Sequence, residues 1–152
     1  MIGVTFKLKN EYSNFLFKIF DKVGIDNFIW YIADNEIIYK DKNNNLKKSI
    51  FNQDTMHGTD FLKYIEIEKY YLVYADIKAF NNRMQVRNID TYDDFVNNDC
   101  QIALFCTDTV DVELYCKSKI VLDKVIKNCI KFGFDELQIL TKENNNRIKF
   151  SV

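Results

Sequence analysis

The chain contains no proline, and only four glycines and one histidine are spread over its 152 residues. Without proline, turns fall to Asn, Asp and Gly, and no stiff polyproline spacer divides the chain. Gly3, Gly24, Gly58 and Gly133 lie far apart, which excludes a glycine-rich phosphate loop. No stretch approaches the ~18 consecutive apolar residues of a membrane helix. The opening MIGVTFKLKN lacks both the basic start and the apolar run of a secretory signal. These absences lead to the expectation of a cytoplasmic protein without membrane association. A net charge of −1 and a pI near 5.9 argue against a general nucleic-acid binder.

What is present is ordinary globular material: 47% hydrophobic and 28% charged residues, in a length that suits one domain over 1–152. Asparagine is abundant at 17 residues, and lysine outnumbers arginine 18 to 3. Cys100, Cys106, Cys116 and Cys129 are spaced 6, 10 and 13 apart, without the close pairs of a zinc site. Three of them fall in apolar segments, so reduced core cysteines are expected. No cofactor motif is found, and none is expected.

Hydrophobic periodicity outlines the elements. Val4, Phe6 and Leu8 alternate as a strand; Ser13 offers a cap to a helix running to Gly24. Phe28–Ala33 reads as an interior strand, and Asp34-Asn35 as a turn into a second strand over 36–40. A short strand over 46–51 precedes a helix capped by Thr59, and Tyr70–Phe80 is the longest strand segment. Thr91 caps TYDDFVNN, residues 102–106 and 112–116 form a hairpin around Asp108–Asp111, and Lys119–Phe132 is amphipathic before Gly133. Residues 136–141 and 148–152 read as a closing hairpin turned at Asn144-Asn145-Asn146. The order implies an α+β fold: one largely antiparallel sheet of about seven or eight strands, with helices mainly on one face. Two ferredoxin-like βαββαβ units are the alternative.

Two chemistries compete. Asp76-Ile77-Lys78 puts an acid and a lysine on one strand face. With an upstream acid, Asp54 or Asp60, such a pair can hold Mg²⁺ and stabilise a leaving phosphate, which defines a metal-dependent phosphodiesterase or nuclease reading. The other reading of the pair is two opposite charges where a strand emerges into solvent. His57, beside a helix start, is a lone general-base candidate with no catalytic partner motif around it.

The second chemistry is a charge block. From Asn88 to Cys116 there are seven acids and no Lys or Arg, whereas residues 117–131 carry five lysines and one aspartate. Asp90, Asp93, Asp94, Asp108, Asp111 and Glu113, with an exposed Tyr115, make a candidate surface for a basic protein partner. The competing expectation is that the lysine helix packs beside the acidic hairpin and cancels it. Asp108, Asp111 and Glu113 also invite a weak hard-cation site. A homo-oligomer through a sheet edge at 148–152 is a third option.

The segments VTFKLKNEY, YYLVYADIKAF, TYDDFVNNDCQIALFCTD, VELYCK, GFDELQIL and NNNRIKFSV together resemble an uncharacterised family of small bacterial proteins, classed only as a domain of unknown function. The resemblance implies one domain and assigns no functional residue. The first expectation is therefore a non-catalytic, protein-binding or regulatory (immunity-like) module, with the phosphodiesterase as its alternative.

Overall fold

The computed structural model describes all 152 residues. Its elements in chain order are β1 (Gly3–Lys7), α1 (Phe15–Phe20), β2 (Ile29–Lys40), β3 (Leu46–Lys47), β4 (Thr55–His57), α2 (Gly58–Ile65), β5 (Tyr71–Phe80), α3 (Tyr92–Asn97), β6 (Cys100–Thr107), β7 (Asp111–Cys116), α4 (Lys119–Lys131) and β8 (Asp135–Leu140). All strands join one antiparallel sheet in the order β3-β2-β5-β6-β7-β1-β8, with β4 also paired to β2. The fold is α+β as expected, and the single sheet replaces the alternative of two ferredoxin-like units. No helix is long and apolar enough to cross a membrane.

Side-chain alternation sorts each strand between two cores. Val4, Phe6, Trp30, Ile32, Ala75, Ile77, Ala79, Ile102, Leu104, Cys106, Val112 and Leu114 face α1, α2 and α4 in a cluster of 30 buried residues. Phe80, Ala103, Phe105 and Tyr115 face the other way, into a smaller cluster closed by Phe95 of α3 and by Phe150. Trp30 anchors the larger core, stacked on Phe61 at 4.1 Å and donating from Nε1 to the Ile25 carbonyl at 2.8 Å. At Gly58 a Cβ would lie 2.1 Å from that same carbonyl oxygen, so the start of α2 packs directly against backbone.

Several local expectations are corrected. The first helix ends at Phe20 and not at Gly24, because Lys22 (φ 57°) and Gly24 (φ 86°) both turn left-handed and fold Val23 and Ile25 inward. Asn14 stands at its N-terminus in place of Ser13, and His57, not Thr59, precedes α2. Asp34-Asn35 is no turn: both halves of β2 pair with the same partner, β5, and the strand absorbs the polar step as a register shift. The 46–51 strand shrinks to Leu46–Lys47. Thr91, Ser118 and the left-handed Asp108 and Gly133 behave as their residue types dictate, whereas Thr109 (φ 68°) is left-handed against the preference of a β-branched residue.

The largest correction concerns the closing hairpin. β8 pairs with β1, and residues 148–152 cross the sheet's second face instead of pairing beside β8. Phe150 is fully buried there, its backbone N–H bonded to the Asp90 carbonyl at 3.0 Å. The reason is burial: β5, β6 and β7 present aromatic side chains that edge pairing would leave wet, and covering a Phe is worth roughly 1.5–3 kcal/mol. The option of oligomerising through a 148–152 edge falls with it. Phe150→Ala is expected to cost about 3–5 kcal/mol, seen as a lower urea midpoint at unchanged slope.

Candidate functional site

The second face of the sheet gathers most of the chemically versatile side chains. Strand register sets them in two cross-strand rows. Asp76, Phe105, Glu113, Thr5 and Gln138 are successive partners in one; Lys78, Ala103, Tyr115, Gly3 and Leu140 are successive partners in the next. Ala103, lacking bulk, leaves room between Lys78 and Tyr115. The C-terminal segment 144–152 lies across these rows, and α3 flanks it.

Arg147 ties that segment down. Its Nε and Nη2 donate to the two Glu113 carboxylate oxygens, each at 3.0 Å, a bidentate fork. Its Nη1 donates to the Lys149 and Ser151 carbonyls, both at 2.9 Å, and its Cζ sits 4.2 Å from the Phe105 ring centroid. The Tyr115 hydroxyl lies 2.8 Å from Asn145 Oδ1 and 3.1 Å from Glu113 Oε2, with one proton to serve them. Tyr115 is fully buried, contrary to the exposed position expected for it, because its ring faces Phe150 at 4.7 Å. Burial and the Glu113 charge push its phenol above the ordinary value.

Asp76 and Lys78 form an ion pair beneath this cover, 2% and 1% exposed. The strand does not emerge into solvent at this point, as one reading of the pair required. The Lys78 ammonium lies 5.2 Å from the Phe105 ring centroid, opposite in sequence logic to Arg147 on the same ring. Burial raises the Asp76 carboxyl above the ordinary value, and the Lys78 charge, the Val152 backbone and Arg147 act against that rise. No second acid shares the burial. Asp60 is on α2, on the opposite face of the sheet, paired with Lys63 at 3.8 Å. Asp54 is exposed beyond β2, its carbonyl accepting from the Ile32 N–H at 2.7 Å. His57 is exposed at the end of β4, apart from all of these.

The acidic block divides between the two ends of β6, whose eight residues separate them by roughly 25 Å. At one end, Asp94 accepts a fork from Arg87 and the Asp90 N–H at 3.0 Å. Asp99 accepts the Asn82 N–H at 2.9 Å. Asp90 and Asp93 make no salt bridge and remain exposed. At the other end, Asp111 lies 3.9 Å from Lys7, and Asp108 is unpaired at the hairpin tip. Of the α4 lysines only Lys131 makes a salt bridge, and its partner is Asp21, so the lysine helix does not cancel the hairpin. The cysteines are all buried; burial pushes Cys100, Cys106 and Cys129 up to about 12 and Cys116 up to about 11. None is a nucleophile at neutral pH.

Two concavities border the C-terminal segment. One, about 610 Å³, is lined by Thr5, Gln138, Glu113 and Asn144–Lys149. The other, about 630 Å³, runs between α3 and the segment and is lined by Thr91, Tyr92, Asp93, Val96, Lys142, Asn145, Arg147 and Ile148. Ile148 is 81% exposed and Val96 48%, yet Ile148 stands between the clamped Arg147 and the buried Phe150. Sequence reasoning missed Arg147 and this groove. The available signal was composition: with only three arginines in the chain, two of them fork onto carboxylates.

The chain belongs to the family described as "Protein of unknown function (DUF2691)", whose model matches residues 1–151. It is 29% identical over 150 residues to the "Uncharacterized protein YncE" of Bacillus subtilis (strain 168), covering 99% of this chain and 98% of that one. No solved structure matches it.

Two measurements test the electrostatics. Lys78→Met leaves Asp76 buried without its partner and is expected to cost about 3–5 kcal/mol, whereas Asp76→Leu with Lys78→Met restores much of that loss; urea unfolding of the single and double variants reads the difference. The Arg87 guanidinium, helped by the Asp90 N–H, holds the Asp94 carboxyl below its ordinary value of 3.8. The unfolded chain therefore binds the extra proton first as pH falls, and the stabilisation is present above that value and lost through the folded one. The stability gap between the wild type and Asp94→Asn is expected at neutral pH and should close in acid, followed by thermal unfolding across pH.

Proposed function

We propose that this protein is a non-catalytic, cytoplasmic binding module that engages a basic, amphipathic segment of a partner protein in the groove between α3 and the C-terminal segment. The observation that carries this reading is Ile148, 81% exposed on the wall of a groove of about 630 Å³. The backbone on either side of Ile148 is held by the Arg147 fork and the buried Phe150, so contact with it orders little further chain. Val96 supplies a second apolar contact, and Asp93 lies on the groove wall with Asp90 just before α3. Their carboxylates make no salt bridge, and unlike Asp99 they accept no internal hydrogen bond, which leaves their charge free to attract a cation. Asp94, Glu113 and Tyr115 support the groove from beneath and contribute by holding its walls.

The phosphodiesterase alternative has less support. Its lysine and acid are covered by the C-terminal segment, and its second acid lies across the sheet. A phosphate would have to displace Phe150 and break the Arg147 clamp to reach Lys78.

A synthetic amphipathic Lys/Leu helix peptide serves as the probe. Its titration is expected to shift amide resonances of Tyr92–Val96 and of residues 145–149, and to weaken with salt. Ile148→Ser, and separately Asp90→Asn with Asp93→Asn, should reduce affinity about tenfold at unchanged melting temperature. Equal binding by these variants would refute the assignment.

A further inference from the structure

The two edges of the sheet are finished differently. On one side β2 is covered by β3 and β4, which both pair with it. On the other, β8 pairs with β1 and with no strand beyond it. The hydrogen bonds of β1 show which groups of β8 point outward. The Leu8 N–H bonds to Val110 at 2.8 Å in register with β7, so Val4 and Phe6 are directed to β7, while the Ile2 N–H just before the strand turns to the Leu140 carbonyl at 2.8 Å. The odd-numbered Gly3 and Thr5 then bond to Leu140 and Gln138. Leu137 and Ile139 consequently turn their backbone groups away from the sheet. Asn144 Nδ2 donates to the Ile139 carbonyl at 3.0 Å. The Leu137 N–H and C=O and the Ile139 N–H are left to the outside.

We propose that this edge pairs antiparallel with the same edge of a second copy of the chain. Three features favour a copy of itself. Asp135–Leu140 contains no Lys, Arg or Pro, and its guards, the acids Asp135 and Glu136 and the bulge at Glu136, are confined to its first two residues. Leu137 and Ile139 share the face that carries the main core, since Ile139 pairs with Val4, and Ile139 is 39% exposed there. Two-fold antiparallel pairing brings these apolar side chains of both copies together. Finally, Asp135 opens the strand and Lys142 follows its end, so the antiparallel arrangement sets Asp135 of each copy near Lys142 of the other; Glu136 is held by Lys7 of its own chain at 3.4 Å. The left-handed Glu136 (φ 50°) and the Asn144 cap bound the pairing window and fix its register. Even-numbered residues such as Gln138 face the second side of the sheet, so the polar concavities beside Gln138 in the two copies become neighbours.

Sedimentation velocity of the full chain from micromolar to near-millimolar concentration tests this pairing. The wild type is expected to shift from monomer to dimer, with the Leu137 and Ile139 amides exchanging more slowly as concentration rises. Ile139→Pro removes an N–H that no internal bond uses and is expected to stay monomeric, while Ile139→Val dimerises like the wild type. A wild type that remains monomeric, or a dimer whose Leu137 and Ile139 amides exchange as fast as in the monomer, would overturn the proposal. Dimerisation by a folded Ile139→Pro equal to that of the wild type would do the same. If Ile139→Pro fails to fold, the exchange rates of the wild type decide the matter.

Discussion

The Arg147 guanidinium is the constraint on which the second face of this molecule depends. It satisfies both oxygens of Glu113, caps two carbonyls of its own segment and stacks on Phe105. A backbone segment that crosses a sheet face without joining its ladder leaves polar groups that must be satisfied elsewhere. Arg147 answers part of that need with a single side chain. With the segment held, Phe150 stays seated among Phe95, Phe105 and Tyr115, at 5.4, 5.2 and 4.7 Å. Lysine could not replace it, since a point charge offers no planar fork and stacks poorly on an aromatic face.

Charges beneath this cover are arranged so that none is left alone. Asp76 answers Lys78, Glu113 answers Arg147, and Phe105 lies between the two cations. The strand register produces this order, because Asp76, Phe105 and Glu113 are direct cross-strand partners. One buried and one half-buried ion pair are poor sources of net stability, given the cost of removing ions from water. Their value here is positional. A segment that slipped by one residue would part Arg147 from Glu113, so that pair specifies one placement of the C-terminal segment, whereas Asp76 and Lys78 meet within β5.

The same economy explains the surface. Most of the acids between residues 90 and 113 have internal work: Asp94 fastens Arg87, Asp99 caps a turn, Asp111 meets Lys7 and Glu113 holds Arg147. The charge left over is concentrated at Asp90 and Asp93 beside the apolar Val96 and Ile148, and at Asp108 on the far hairpin. A near-neutral protein thus keeps a small acidic and apolar feature on α3 and its neighbouring segment. The β8 edge lies elsewhere in the sheet, and of the residues lining the α3 groove, association there uses only Lys142.

Local rules were enough wherever a residue type answers a local need. Thr91 and Ser118 as caps, the left-handed Asp108, the stop at Gly133 and the inward stripe of α4 all follow from backbone geometry and periodicity within a few residues. The burial of Cys106, Cys116 and Cys129 follows from their apolar surroundings in sequence. Tertiary structure alone decided the rest. Alternation in 148–152 shows that one side of the segment is apolar, but sheet edge and sheet face satisfy that pattern equally well. Only the aromatic surface assembled from β5, β6 and β7, brought together across more than thirty residues of chain, made the face the better place for Phe150. Likewise Asp76 and Lys78 were bound to share a side by strand periodicity. Whether that side met water or Phe105 and Arg147 depended on a segment about seventy residues away.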